Sequence, residues 1–315
     1  MQINTKHYIW QIIHNPNALL FKSSCYWKEI EKKLQEIQID YLYHVTSTIE
    51  EAKELIISLC KKREKHFILI GGDGTLNIFV NAVIESKVNS ADIYAALIPL
   101  GTGNDWSRSH GYTQKFIDAI NLLDIGNFIN HDIGIVETVI DDKVVSTRYF
   151  INIAGFGFDG AVIAEANASK NTNRIFNKQL YLFNLLKTLI AYKSKSVTIK
   201  SNDFTIAGKI FTIAAGIGQY NGNGMRQCPE AITNDGLLDV VIIEKLSIFK
   251  VLLNIKNLFD GSHVKKLKEV TVKRTDYLEI NTISHILGEV EGEMLAKGNY
   301  RIRCLPSAIN LMIGG

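Results

Sequence analysis

The stretch from His66 to Asn77, His-Phe-Ile-Leu-Ile-Gly-Gly-Asp-Gly-Thr-Leu-Asn, leaves this chain few folds to choose from. Phe67 to Ile70 is a short apolar run of the kind buried on both faces of a parallel sheet. It stops at Gly71, Gly72, Asp73 and Gly74, and apolar residues then recur with helical spacing at Leu76, Phe79, Val80 and Val83. Strand, glycine turn and helix N-terminus make an anion site. Glycine lets backbone N–H groups approach a phosphate closely, and the helix dipole favours negative charge there. Asp73 would repel phosphates unless a cation lay between, so it points to a magnesium–nucleotide complex. The plainer alternative is a tight βα turn in which Asp73 only caps the helix.

The elements around this stretch alternate. Tyr8 to Ile13 reads as a strand ending at the turn His14-Asn15-Pro16-Asn17, and Trp27, Ile30, Leu34 and Ile37 fall on one helical face. Tyr41 to Val45 is strand-like, and Ser47 with Glu50 predicts a capping box for a helix carrying Ile49, Ala52, Ile56 and Leu59. A strand over Tyr94 to Ile98 and a helix from Gln114 to Leu123 complete a doubly wound α/β pattern over residues 1–127. From residue 128 the rhythm turns to β. Strands are expected over His131–Ile140, Val144–Ala154, Val197–Lys200, Phe204–Ala207, Lys209–Ile217, Leu238–Glu244, Val270–Lys273, Tyr277–Ile280 and His285–Val290. Two helices interrupt them, the second over Lys178–Tyr192, and the half reads as a β-sandwich or split barrel.

A second glycine loop, Pro99-Leu100-Gly101-Thr102-Gly103-Asn104-Asp105, also follows an apolar strand directly. Two such loops after neighbouring parallel strands would lie side by side at the carboxyl edge of the sheet, where open α/β sheets bind ligands. Asp105 would then share a crevice with Asp73 and help organise a metal. Neither loop has the Gly-Lys-Ser/Thr of a Walker A motif, and Asn77 stands where a dinucleotide fingerprint needs its third glycine. The Gly-x-Gly-x-x-Gly at Gly155, Gly157 and Gly160 follows a hairpin in the other half and is read as a decoy.

Composition narrows the rest. A 315-residue chain has room for two cores, and its net charge of +3 is too small to signal nucleic acid, though it suits mild attraction to an anionic membrane. Four scattered cysteines without a CxxC argue for free thiols in a reducing compartment. With no signal-like leader and no membrane-length apolar run, the expectation is a cytoplasmic protein, peripheral at the inner face of the membrane.

Gly71-Gly72-Asp73-Gly74-Thr75 followed by Pro99 to Asp105 resembles the diacylglycerol kinase family of soluble lipid kinases, which also holds sphingosine and ceramide kinases. The likeness continues through Asn152 to Gly160 and Cys228-Pro229-Glu230-Ala231 to Asp235-Gly236-Leu237-Leu238. It implies a nucleotide domain over 1–127, a β-sandwich lipid domain over 128–304, and a final segment, 305–315, returning to the first domain. It implies ATP held by Gly71, Gly72, Asp73, Gly74, Thr75, Leu76 and Asn77, with Thr46, Gly101, Thr102 and Asn104. It implies an Asp73–Asp105–magnesium network, and a structural magnesium on Asp235 and the carbonyls of Ile232 and Leu237. The family's catalytic base is the Asp of an Asp-Gly-Glu motif, and here Glu291-Gly292-Glu293 matches it. A lipid hydroxyl is a poor nucleophile and needs a carboxylate to take its proton. Asn15-Pro16-Asn17-Ala18 lacks the family's loop glycine, and Gly222-Asn223-Gly224-Met225 departs from its triple glycine.

The expected partner is a lipid substrate at a membrane surface, with homodimerisation left open. An NAD kinase, suggested by the shared Gly-Gly-Asp-Gly, and a catalytically silent lipid-binding relative, suggested by Glu291, are the alternatives. Ile248, Val251, Leu252, Ile255 and Leu258 share one helical face, which is expected to pack on its own domain in preference to a lipid interface.

Overall fold

A computed structural model describes residues 1–16, 23–112, 115–170, 178–282 and 285–314. Asn17, Ala18 and Gln114 therefore lie outside the described residues. The first half runs β1 (Ile9–His14), α1 (Trp27–Glu36), β2 (Asp40–Val45), α2 (Ile49–Lys61), β3 (His66–Gly71), α3 (Asp73–Glu85), β4 (Tyr94–Pro99), α4 (Asp105–Ser109) and α5 (Phe116–Ile125). Its strands are all parallel, in the order β4-β3-β1-β2. Phe67, Leu69 and their alternates Ile68 and Ile70 are all fully buried, so both sheet faces are covered. The core joins Trp10, Phe67 and Phe79 to Ile30, Leu34 and Ile56 of the covering helices.

The capping box sits one residue later than the sequence pattern suggested. Thr48 caps α2 by accepting from Glu51 N–H at 3.1 Å, and the Glu51 carboxylate returns to Ser47 N–H at 2.7 Å. Thr48 and Glu51 have the same chemistry and spacing as Ser47 and Glu50, so the tertiary entry of the chain chooses between them.

The second half continues with β5 (Phe128–Ile140), β6 (Lys143–Phe150), β7 (Ile153–Gly157), α6 (Phe158–Lys170), α7 (Lys178–Ala191), β8 (Lys195–Lys200), β9 (Thr205–Gly216) and β10 (Leu238–Glu244). Then come α8 (Ile248–Asp260), α9 (His263–Lys266), β11 (Val270–Thr275), β12 (Tyr277–Asn281), β13 (Gly288–Val290), β14 (Glu293–Met294) and β15 (Asn299–Met312). The long strand β9 pairs with β7, β8 and β10, and the antiparallel sheet folds over a separate core of Phe150, Phe156, Ile213, Ile280 and Tyr300. Phe204–Ala207 and Lys209–Ile217 are thus parts of one strand. The single strand expected over Val144–Ala154 is broken at Ile151 and Asn152, whose N–H groups leave the ladder for a carboxylate described below.

The two halves share backbone. The end of β15 pairs in parallel with β4, Asn310 opposite Tyr94, and along its length with β5 in antiparallel. Asp132, fully buried, accepts from Gly236 N–H and Ser307 N–H at 2.7 Å each, tying β5, the loop before β10 and β15 together.

Candidate functional site

The two glycine loops meet at the carboxyl edge of the parallel sheet. Gly71 stands opposite Pro99 in the register, and Leu100 N–H donates to Gly71 C=O at 2.6 Å. The approach is as close as backbone allows: a Cβ on Gly101 would lie 2.6 Å from the Gly72 Cα. Only glycine fits at either position. Asn104, itself left-handed at φ 51°, locks the second loop by accepting from Gly101 N–H and donating to Gly101 C=O.

Asp73 opens α3, and its carboxylate accepts from Asp105 N–H at 2.9 Å and Trp106 N–H at 3.0 Å. It therefore clasps the second loop in addition to facing the cradle. Gly72 caps α3 without a side-chain bond, and a Cβ on Gly74 would meet nothing, so this helix end is open to an anion. Of the other candidates, Thr102 is exposed and Thr75 half-buried, while Leu76 is a core side chain that has only backbone to offer. Asn77 donates to Tyr149 C=O across the domain boundary, and buried Thr46 lies 3.5 Å from His14 C=O.

Asp105 binds the other half of the molecule. Its oxygens accept from Asn223 N–H at 2.8 Å and Gly224 N–H at 2.7 Å. Gly222, Asn223 and Gly224 all have positive φ, which aims successive N–H groups inward as an anion nest. Arg108, which no motif singled out, lies 3.9 Å from Asp105 and over the Tyr220 ring. Burial pushes the carboxyls of Asp73 and Asp105 up, and the Asp73 charge raises Asp105 further.

Those two carboxylates suit a magnesium ion. A Cβ on Gly103 would lie 3.1 Å from Asp73 Oδ2 and 3.8 Å from Asp105 Oδ2, so both oxygens converge over a glycine floor, and a cation would relieve their repulsion. No three His, Cys, Asp or Glu side chains form a metal cluster among the described residues. Phosphate oxygens and water would complete the shell, as magnesium commonly requires. Asp235 differs. Its carboxylate pairs with Arg274 and accepts from Leu237 N–H at 3.0 Å, while Ile232 is 48% exposed. A cation there would have to displace the guanidinium, so this donor set fits magnesium poorly.

Glu291 occupies the tip of the β13–β14 hairpin. With φ of 51° at Glu291 and 82° at Gly292, both turn positions are left-handed, as a type I′ turn requires. Asp is more at home than Glu in that region, so the longer residue strains the turn slightly. Its carboxylate folds back to accept from Ile151 N–H at 3.0 Å, Asn152 N–H at 2.7 Å and Asn152 Nδ2 at 3.1 Å. Burial still pushes the Glu291 carboxyl up to about 7, helped by the Asp73 charge.

Two neighbours were missed in the sequence. Glu289, 1% exposed, is pushed up to about 8 by burial and by Asp159, itself raised by burial to about 6. Glu289 accepts from Asn221 Nδ2 at 3.1 Å and Gly292 N–H at 2.8 Å, and Asp159 accepts from the Thr212 hydroxyl at 2.9 Å. The signal was the glycine trio set aside as a decoy. A Cβ on Gly155 would lie 2.6 Å from Glu289 Oε1 and 3.0 Å from Asp159 Oδ2, and one on Gly160 would strike Leu287 C=O. Gly155 makes room for carboxyl groups and Gly160 for the Leu287 backbone, so the trio packs against protein.

Comparisons with known proteins agree with this architecture. Residues 10–136 match the diacylglycerol kinase catalytic domain, and residues 152–313 match the YegS C-terminal NAD kinase β-sandwich-like domain. The chain is similar to a Pseudomonas putida protein named "Probable lipid kinase YegS-like", at 29% identity over 85% of this chain and 83% of that one. A Pectobacterium atrosepticum protein of the same name is 28% identical over 90% of each chain. Among solved structures, a diacylglycerol kinase from Bacillus anthracis superposes with a TM-score of 0.72 at 19% identity over 97% of both chains. Yeast NADH kinase superposes with a TM-score of 0.55 at 9% identity, covering 98% of this chain and 84% of the other. At these identities the two structures speak for the fold.

Proposed function

Since the chain belongs to the diacylglycerol kinase family, with its YegS-type β-sandwich-like second domain, we propose that it transfers the γ-phosphoryl group of ATP to a hydroxyl of diacylglycerol or a related glycero- or sphingoid lipid. The observation that carries this reading is the convergence of a carboxylate from the second domain, Glu291, on the phosphate-binding edge of the first, near enough for the Asp73 charge to act on it.

The open N-terminus of α3 and the clasped loops receive the phosphates. Magnesium, when bound at Asp73 and Asp105, would offset the negative charge of the phosphate oxygens. Glu291 in its ionised form accepts the proton of the lipid O–H while the lipid oxygen bonds to the γ-phosphorus. The bond from that phosphorus to the bridging oxygen breaks, and ADP leaves. A base with a pKa of about 7 is partly ionised at neutral pH, so turnover should rise as pH passes upward through that value.

Radiolabelled ATP offered with diacylglycerol, sphingosine, ceramide, phosphatidylglycerol and NAD tests the proposal. Label should enter one of the lipids and not NAD, and Asp73→Ala should lose nearly all of it, on the order of 10²-fold or more. Label in NAD alone, or full activity in Asp73→Ala, would overturn it.

A further inference from the structure

The helix α8 was expected to pack through one apolar face, and part of that face does. Val251 joins Phe158, Leu189 and Phe211 of the neighbouring elements. The helix is apolar on its other side as well. Phe249 is 80% exposed and Leu253 82%, with Ile248, Leu252 and Phe259 also exposed, and no residue of α8 is buried. On the adjoining helix α7, Ile190 is 70% exposed, one residue from the packed Leu189. Exposed side chains of this size on two helices that border one cavity mark an interaction surface, whereas scattered ones need no explanation.

The rim of this surface supplies the second observation. Between α7 and α8 lies a cavity of about 320 Å³ whose walls are Leu189, Phe211, Val251 and other apolar groups, and whose charged lining, among the described residues, is Lys193, Lys209 and Lys245. All three lysines are exposed, and none has a carboxylate within ion-pair distance among the described residues. Lys250, by contrast, is already paired with Glu269. An apolar ridge bordered by unpaired cations matches a surface that is anionic outside and hydrocarbon within.

We propose that this face docks on an anionic lipid bilayer, with Phe249, Leu253 and Ile190 entering the acyl boundary and Lys193, Lys209 and Lys245 meeting headgroup phosphates. The proposal rests on the lipid-kinase reading above and gives it a direction of approach. Phe211 lines the cavity, stacks on Phe158 at 4.7 Å, and precedes Thr212, whose hydroxyl binds Asp159 beside Glu289. The cavity wall and the buried carboxyl groups thus meet across strand β9.

Vesicle sedimentation without nucleotide tests the docking separately from catalysis. The wild-type chain should bind phosphatidylcholine vesicles containing phosphatidylglycerol more tightly than phosphatidylcholine alone, and less so as salt rises. Phe249→Ser with Leu253→Ser should weaken binding by roughly tenfold or more per side chain. Replacing the three lysines with Gln should cost about fivefold each and remove the preference for the anionic lipid. Unchanged melting temperatures would show that these surface changes leave the fold intact. Wild-type binding equal to that of both variants, or no vesicle binding at all, would overturn the proposal. So would light scattering in which Phe249→Ser with Leu253→Ser dissociates a dimer while vesicle binding persists, because a second copy would then be the occupant. Phosphorylation of a dispersed short-chain diacylglycerol should stay near wild type in the docking variants. Its absence from wild type would count against the kinase reading and leave the sedimentation result to judge the surface.

Discussion

The first-domain loops and the Glu291 hairpin both present carboxylates to one crevice and both meet them with N–H donors, but the hairpin side gathers three carboxyl groups raised by burial, Glu291, Glu289 and Asp159, against the loops' two. Asp73 and Asp105 are each met by two backbone N–H groups, from Asp105 and Trp106 and from Asn223 and Gly224. Fixed N–H dipoles stabilise an ionised carboxylate and work against the burial that raises it. Glu289 is buried beside Asp159 and Glu291 and is pushed up to about 8. There, carboxyl groups crowd one another, and a proton is the cheapest way to reduce the repulsion. In the proposed reaction the first region would hold negative charge beside phosphates, and the second would take up a proton.

The sharpest way to break this comparison is to remove proton acceptance from the second region. Glu291→Gln should cut phosphorylation by about 10²–10⁴-fold with ATP binding little changed. Glu291→Asp should be far milder, because aspartate suits the left-handed turn better and keeps the chemistry. Lipid phosphorylation by Glu291→Gln at the wild-type rate would show that the proton leaves by another route. Glu293→Gln belongs beside it, since that exposed neighbour should have little effect.

The first region is probed by its close approach. Gly101→Ala places a methyl group 2.6 Å from the Gly72 Cα, so the two backbones must separate. A loss of about 1–3 kcal/mol in stability is expected, together with weaker ATP binding. Denaturant melts and nucleotide titrations read both, and tight ATP binding by this variant would mean that the loops need not touch.

The last effect concerns pH. Glu289 binds its proton more tightly in the folded chain, at about 8, than an ordinary glutamate does unfolded. Between those values the native state holds the extra proton, so stability is greatest at low pH and declines as pH rises toward 8, by at most about 1.4 kcal/mol per pH unit from this group. Glu289→Gln should flatten that decline in melts taken from pH 5 to pH 9. An unchanged slope would mean that Glu289 is ionised at neutral pH, and the contrast between the regions would shrink to one of position.

Much of the first region was legible in the chain because its causes are local. An apolar run ending in glycines makes a buried strand and a tight turn wherever it occurs, and the matching run before Pro99 places a second turn beside it. The capping box was legible only to within one residue, because Ser47 and Thr48 have the same donors and acceptors. Glu291 was found through resemblance, while its partners Ile151 and Asn152 lie 140 and 139 residues away and carry no mark of the contact. Glu289 and Asp159 were overlooked because the glycines were set aside as a decoy, and the carboxyl groups above Gly155 come from β13 and α6, which only the fold brings together.

The sequence by itself determined the alternation of strand and helix, the positions where no Cβ is tolerated, and the residues able to carry charge. These follow from backbone sterics and from apolar periodicity, which act over a few residues. Only the tertiary structure decided how tightly each of those carboxyl groups holds its proton, since that depends on burial, N–H groups and other charges brought from distant parts of the chain. It also decided which side of α8 faces outward. A helix apolar on two sides has no preferred orientation until a neighbour covers one of them, and α6, α7 and β9 cover the side of Val251 and leave Phe249 and Leu253 in the open.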